Sequence, residues 1–390
     1  MEAYIVAGYR TAVGKGNRGS FRFTRPDDLA VDNIKFLLDK VPQLDPTLVD
    51  DLIVGNAVPE AEQGMQIGKM IALMSLPENT AGMTVNRYCA SGLETMAIAT
   101  AKIKAGMADC IIAGGTESMS LVPVMGYKTA LNFDIAKNHP TYYSSMGLTA
   151  EEVAKDFKVS REDQDEFSYH SHVKALKAIE AGRFKDEIVP ITVKDTFVKN
   201  DKRETKEFIM DTDECPRAGT TTEVLAKLRP VFSPTGSVTA GNSSPISDGA
   251  AFVIIMSEAM VKSLNIEPIA RLVSSAAVGV DPRIMGIGPV AAVPKALKQA
   301  GLTLNDIDLI ELNEAFASQS LAVIRELNLN TEILNVNGGA IALGHALGST
   351  GARLSIQIIN ELRRRNKKYG LVTACVGGGQ GIAVVIELLK

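Results

Sequence analysis

The same order of local features occurs twice along this chain of 390 residues, and that repetition constrains its fold more than any other property. Asp51-Leu-Ile-Val-Gly-Asn56-Ala57 is echoed by Asp308-Leu-Ile-Glu-Leu-Asn313-Glu-Ala315, Val85-Asn86 by Val336-Asn337, and Ala108 to Gly115 by Tyr369 to Gly379. Each match is short, but all come in the same order. Apolar run, glycine turn and helix-forming segment, repeated, predict two similarly folded α/β halves, each a sheet covered by helices. The length exceeds one ordinary core at roughly 150 residues per domain. The composition agrees, because 46% apolar residues with 5% aromatic and no Trp is an Ala, Val and Ile-rich mixture suited to buried sheets.

Within the first half, Met83-Thr-Val85 is a short β-prone run. Ala90 to Ala105 carries helix formers with Leu93, Met96, Ala97, Thr100 and Ile103 on one face, and Gly106 ends that helix. Cys110 to Gly115 is the buried strand that follows, so Cys89 falls at a helix N-terminus. From Met119 to Ser244 the chain is richer in charge and turn residues, although Arg161 to Ala181 keeps helical spacing. A loop of this length is anomalous unless functional, so it reads as an insertion covering a site.

Three reactive side chains sit in glycine-rich turns: Cys89 in Val85-Asn-Arg-Tyr-Cys89-Ala-Ser-Gly92, His345 in Asn337-Gly-Gly-Ala-Ile-Ala-Leu-Gly-His345-Ala-Leu-Gly348, and Cys375 in Cys375-Val-Gly-Gly-Gly-Gln-Gly381. Such turns let backbone approach a ligand closely. Cys89 is either a buried structural cysteine or a nucleophile whose thiol, about 8.5 when free, is acidified by the helix end. His345 has an ordinary pKa of about 6.5, suited to proton transfer. His139 lies beside Pro140 in an expected loop, and His170 and His172 in a charged helical segment that reads as solvated. The glycines after Cys375 lead into the β-branched run Ile382 to Ile386, so they join two strands and do not form a phosphate-binding loop. Their N–H groups suit an oxyanion hole. Asn313, after the buried run Leu309 to Leu312, is either a helix cap or a group that orients a water. The basic run Arg363 to Lys368 reads as a solvated helix end.

Cys110 and Cys215 complete four scattered cysteines without a CxxC pair, which predicts reduced thiols and no zinc site. A net charge of -4 gives no field to recruit nucleic acid. The N-terminus enters a strand-like run at once, and no apolar run reaches the roughly 20 residues of a membrane span, so a cytoplasmic protein is expected.

The segments around Cys89, Gly241-Asn-Ser-Ser-Pro-Ile-Ser-Asp-Gly249, Asn313-Glu-Ala-Phe316, Asn337 to His345 and Cys375-Val-Gly-Gly-Gly, in that order, resemble the thiolases over essentially the full length. The resemblance implies an α/β thiolase fold, with two similar halves in a layered αβαβα core. Residues 1–118, completed by about 245–268, would form the N-terminal half, 269–390 the C-terminal half, and 119–244 an inserted loop domain that binds coenzyme A. It also implies roles. Cys89 would take the acyl group as a thioester, His345 would activate it, and Cys375 would shuttle a proton to or from the acetyl methyl. Asn313 with a water, beside His345, would form one oxyanion hole, and the N–H groups of Cys89 and Gly377 the other. Met146, Arg217, Ser244, Ala315 and Phe316 match the family's CoA channel.

Acyl-CoA and CoA are then the small-molecule partners, with no separate cofactor and no metal, in a homodimer or homotetramer; a β-oxidation partner subunit is left open. Ser145 stands where acetoacetyl-CoA-forming members carry His, which favours cleavage of 3-ketoacyl-CoA, with acetoacetyl-CoA synthesis from acetyl-CoA as the alternative. Ala346 stands where Pro is usual. A condensing enzyme of the ketosynthase type would need two histidines, or His and Asn, in place of Cys375. An inactive acyl-CoA-binding scaffold would have no use for two placed thiols.

Overall fold

The computed structural model describes residues 2–389. Strands β1 (Ala3–Thr11), β2 (Asp51–Gly55), β3 (Ala81–Val85), β4 (Cys110–Ser118) and β5 (Ser247–Ser257) lie in the order β3-β2-β4-β5-β1. Strands β6 (Ala270–Gly279), β7 (Leu309–Leu312), β8 (Tyr369–Val376) and β9 (Gln380–Leu388) lie in the order β7-β8-β9-β6. In the first array β3, β2 and β4 are parallel, and β5 runs antiparallel to both β4 and β1. The second repeats this: β7 and β8 are parallel, and β9 is antiparallel to β8 and β6. A parallel bridge from Ile310 to Leu334 occupies the place of β3. The repetition read in the sequence is therefore realised strand for strand, with β2 answering to β7 and β4 to β8. The arrays meet at one register pair, Ile5 with Ala270.

The helices needed to place the site are α1 (Pro26–Asp39), α2 (Ile67–Ser75), α3 (Ser91–Lys104), α4 (Met146–Asp156), α5 (Arg161–Glu180), α6 (Gly288–Ala300), α7 (Ala317–Leu327) and α8 (Leu347–Arg365). Strand alternation sorts the side chains into layers. In β5, Phe252, Ile254 and Met256 pack with α1 and α2, whereas Val253 and Ile255 pack with α3 and α8. In β9, Ile382, Val384 and Ile386 face that same central pair, and Ala383 and Val385 face α6. Each fully buried Val or Ile contributes roughly 1.5–3 kcal/mol. Helix, sheet, central helices, sheet and helix thus make five layers, as the αβαβα expectation requires. The central pair approach backbone to backbone: a Cβ on Gly92 would lie 2.8 Å from Ala352 N, and one on Gly351 only 2.3 Å from Leu93 N.

Between β4 and β5 the chain forms α4, α5 and a two-stranded hairpin, Ile191–Lys199 with Lys202–Met210. Helix α5 begins where its spacing predicts, capped by Ser160 Oγ accepting from Asp163 N–H at 3.1 Å. The charged run Lys199 to Lys206 is the tip and one strand of the hairpin, turning at left-handed Asn200 and Asp201. Among the described residues, no helix is long and apolar enough to cross a membrane.

Candidate active site

Cys89, Asn313 and Cys375 lie at the C-terminal end of a parallel strand or in the turn beyond it, where open α/β sheets present their ligands, and His345 lies in the turn between the short helix Ala340–Leu343 and α8. Strand β3 ends at Val85, and Asn86 then ties the turn: its Oδ1 accepts from Tyr88 N–H at 2.8 Å and its Nδ2 donates to Ala57 O at 2.9 Å. Tyr88 takes a left-handed φ of 44°, and a single 3₁₀ turn, Tyr88–Ala90, carries Cys89 just ahead of α3. Cys89 is buried against Ala57, Val58, Val122 and Leu347. Burial pushes its thiol up to about 11, opposed by the N–H of Gly377, which donates to the sulfur. Desolvation outweighs the helix end expected to acidify it, because the sulfur is enclosed by apolar side chains.

Strands β8 and β9 join through the glycine turn as the sequence indicates, and Cys375 is buried at the end of β8. Its thiol is raised above the ordinary range, first by burial and then by the neighbouring Cys89. Arg87 locks the two turns to each other, donating to Glu94 at 2.8 Å and to Gln380 Oε1 at 2.8 Å. Cys375 packs with Ala315, Phe316, Met285 and Ala150, and Met146 lies against the same cluster. A Cβ on Gly377 would sit 3.4 Å from Met146 Sδ.

His345 is buried in the turn before α8. Its backbone N–H donates to Ser247 Oγ at 3.1 Å, and its Nδ1 lies 2.7 Å from Thr350 Oγ1. Thr350 Oγ1 also lies 2.9 Å from Ala346 O. One hydroxyl proton serves that carbonyl, so the network assigns the histidine proton to Nδ1, which donates to Thr350, and makes Nε2 an acceptor. Asn313 Nδ2 donates to that Nε2 at 3.3 Å. Burial, then the charge of Arg353, pushes the imidazole down to about 3. At rest the Cys89 thiol and the His345 imidazole are therefore both neutral. Asn313 Oδ1 is buried with no partner among the described residues, and the Asn313 backbone N–H donates to Thr373 O at 2.9 Å, tying β7 to β8.

Ser244 stands beside this group, its N–H donating to Ala315 O at 2.9 Å. Arg217 does not join it: its side chain is exposed, and only its backbone is held, by His172 Nδ1 accepting from its N–H at 3.2 Å. His172 is buried, not solvated as its charged segment suggested, because it faces the Arg217 loop while His170 faces water. A groove of about 660 Å³ lined by Glu162, Asp165, Glu166 and Glu223 lies elsewhere on the insertion, and its carboxylates oppose an anionic acyl-CoA.

Sequence reasoning missed Glu117, Arg353 and Thr350. Glu117 is buried at the end of β4, and its carboxylate accepts from Ala57 N–H at 2.8 Å, Gln63 Nε2 at 2.7 Å and Gly348 N–H at 2.8 Å, binding the turns of both halves. Burial pushes it up to about 7. Its position at a parallel strand's C-terminal end, after Gly114-Gly115, was the available signal. Arg353 donates to Gly344 O at 3.3 Å and so braces the turn that carries His345.

The chain matches the family description "Thiolase, N-terminal domain" over residues 3–259 and "Thiolase, C-terminal domain" over residues 266–388. The chain belongs to the thiolase family. Among relatives of this thiolase, the 3-ketoacyl-CoA thiolase of Bacillus subtilis is 52% identical over 99% of both chains. The acetyl-CoA acetyltransferase of Escherichia coli is 45% identical, again over 99% of both. The crystal structure of the Bacillus anthracis acetyl-CoA acetyltransferase matches with a TM-score of 0.89 at 38% identity, covering 100% of this chain and 99% of that one. The thiolase is accordingly an acyltransferase with the layered fold described above.

Proposed function

We propose that this thiolase cleaves 3-ketoacyl-CoA with CoA, giving acetyl-CoA and an acyl-CoA shortened by two carbons. The observation that carries the proposal is two buried free thiols on turns that meet: the Gly377 N–H of the Cys375 turn donates to the Cys89 sulfur, and Cys375 packs against Ala315, two residues beyond the Asn313 that pairs with His345. In the first half-reaction Cys89 gives its proton to His345 Nε2, and its sulfur attacks the C3 carbonyl. The oxyanion is held by preorganised donors, either Nε2–H with a water on Asn313 or the N–H groups of Cys89 and Gly377. The C2–C3 bond breaks, its electrons remain on C2, and C2 takes the proton of Cys375. Acetyl-CoA leaves. In the second half-reaction the CoA thiol gives its proton to the Cys375 thiolate and attacks the Cys89 thioester; Cys89 departs and recovers its proton from His345. The raised pKa of Cys375 fits this division, since the thiol keeps its proton until a carbon base forms.

Met146, Ala315 and Phe316, packed on Cys375, and Ser244 beside them support a CoA channel that reaches the thiols, with Arg217 at its outer end. Residues 119–244 are taken as the loop domain and CoA as substrate with no further cofactor. A homo-oligomer is supported by exposed Met65, Met70, Leu73 and Met74 beside β3, an open sheet edge that needs covering. Acetoacetyl-CoA synthesis is the second reading, favoured by the acetyltransferase relatives.

The test is CoA-dependent thiolysis of acetoacetyl-CoA beside 3-ketohexadecanoyl-CoA, followed at the enolate absorbance. Activity on the long substrate is expected; activity confined to acetoacetyl-CoA transfers the assignment to the second reading. Cys89→Ser should reduce thiolysis by at least about 10³-fold, and retention of activity in that variant would remove Cys89 as the nucleophile.

A further inference from the structure

We infer that His172 is a positioning residue for CoA binding: its buried imidazole fixes the backbone of Arg217 and so aims that guanidinium at the nucleotide end of CoA. This rests on the reading of Arg217 as a CoA-channel residue.

Arg217 lies in a segment without regular secondary structure, between the hairpin strand ending at Met210 and the short helix Thr222–Ala226. Such a segment must find its backbone partners one by one. For Arg217 both are supplied: its N–H donates to His172 Nδ1 at 3.2 Å, and its carbonyl accepts from Thr220 Oγ1 at 3.1 Å. The backbone is thus held at both ends while the side chain stays exposed. A guanidinium on a fixed stem can pair with phosphate or stack on a base, whereas one on a loose loop must first be ordered, which weakens binding.

The neighbouring residue on α5 gives His172 a fixed platform. Ser171 Oγ donates to Glu314 Oε2 at 2.7 Å and accepts from Gly339 N–H at 3.1 Å. One turn of α5 therefore grips the chain next to Asn313 through Ser171 and the Arg217 loop through His172. The acceptor role needs a neutral ring with the proton on Nε2. Burial and the nearby Arg217 charge hold the imidazole at about 4, so it stays neutral throughout the range in which the enzyme is assayed.

The experiment compares CoA with N-acetylcysteamine, a thiol that lacks the nucleotide, as acceptor in thiolysis by the full-length enzyme. His172→Ala is expected to raise KM for CoA about three- to tenfold, the effect of one lost hydrogen bond, with kcat within about twofold and KM for N-acetylcysteamine unmoved. His172→Asn, whose Oδ1 replaces Nδ1, should restore KM for CoA. Should His172→Ala not fold, His172→Phe, which fills the space without an acceptor, is read in the same way. Equal losses with both thiols, or a fall confined to kcat, would mean a general structural role and overturn the inference. Arg217→Ala separates the two readings. If it leaves KM for CoA unchanged, the reading of Arg217 fails; if it raises KM while the His172 variants do not, only the role of His172 fails.

Discussion

At the scale of single residues, neither Cys89 nor His345 carries a charge at rest. The sulfur of Cys89 is held near 11 and the ring of His345 near 3, so in the proposed reaction ionisation accompanies attack instead of preceding it. The rate of Cys89 alkylation by iodoacetamide should therefore rise about tenfold per pH unit from 7 to 10, following the growing thiolate fraction. A rate already level below pH 8 would indicate a standing imidazolium–thiolate pair. His345 itself was legible from its glycine frame, but the groups that tune it were not. Thr350 and Arg353 lie in an ordinary-looking helical run, and only the turn of α8 back over Gly344 brings them to the ring. Ala346 offers a second test. Its φ of -74° is one that proline adopts, and its N–H makes no backbone hydrogen bond among the described residues. Ala346→Pro should raise stability by about 0.4–1 kcal/mol through the unfolded chain, read as a higher urea midpoint with kcat unchanged.

At the scale of elements, the β8–β9 turn sets the position of the Gly377 N–H that reaches Cys89. Gly379 in this turn has a φ of 85°, and a Cβ there would fall 2.5 Å from Val280 O. Gly379→Ala is expected to cost about 1–3 kcal/mol and to withdraw that N–H, lowering kcat along with the thermal midpoint. A variant with normal kcat would show that the turn's exact shape is irrelevant to the oxyanion. The strand–turn–strand reading of this segment followed from Ile382 to Ile386, whose β-branched side chains leave little room for a helix. His172 shows the opposite case. Its helix was evident from spacing, yet which face is covered depends on a loop 45 positions further along the chain, and periodicity on a polar helix does not report that.

At the scale of the whole molecule, the buried thiols bear on stability. Cys89 is held near 11, and Cys110 and Cys215 near 12, all above the roughly 8.5 of an unfolded thiol. Their contribution is complete below pH 8.5 and is lost as pH rises toward 11 to 12, because the unfolded chain then releases protons that the folded one keeps. Urea midpoints should fall between pH 8.5 and 10, and Cys110→Ala should flatten that decline; an unchanged slope would show that other groups control it. The repeated order of motifs made the two-sheet architecture legible, since it depends on period-two strands and glycine turns close in sequence. The shared middle layer was not, because the contact of Gly92 with Ala352 joins positions 260 apart.

That contact makes competence a property of the finished fold. Cys89 comes from one half, His345 and Cys375 from the other, and a chain with either half unformed holds a thiol without the proton acceptor proposed for it. Recovery of activity after dilution from urea should consequently lag the return of helical circular dichroism, since turnover begins only when the two halves have docked. During synthesis the same dependence keeps the enzyme silent until its last strand, β9, has closed the sheet.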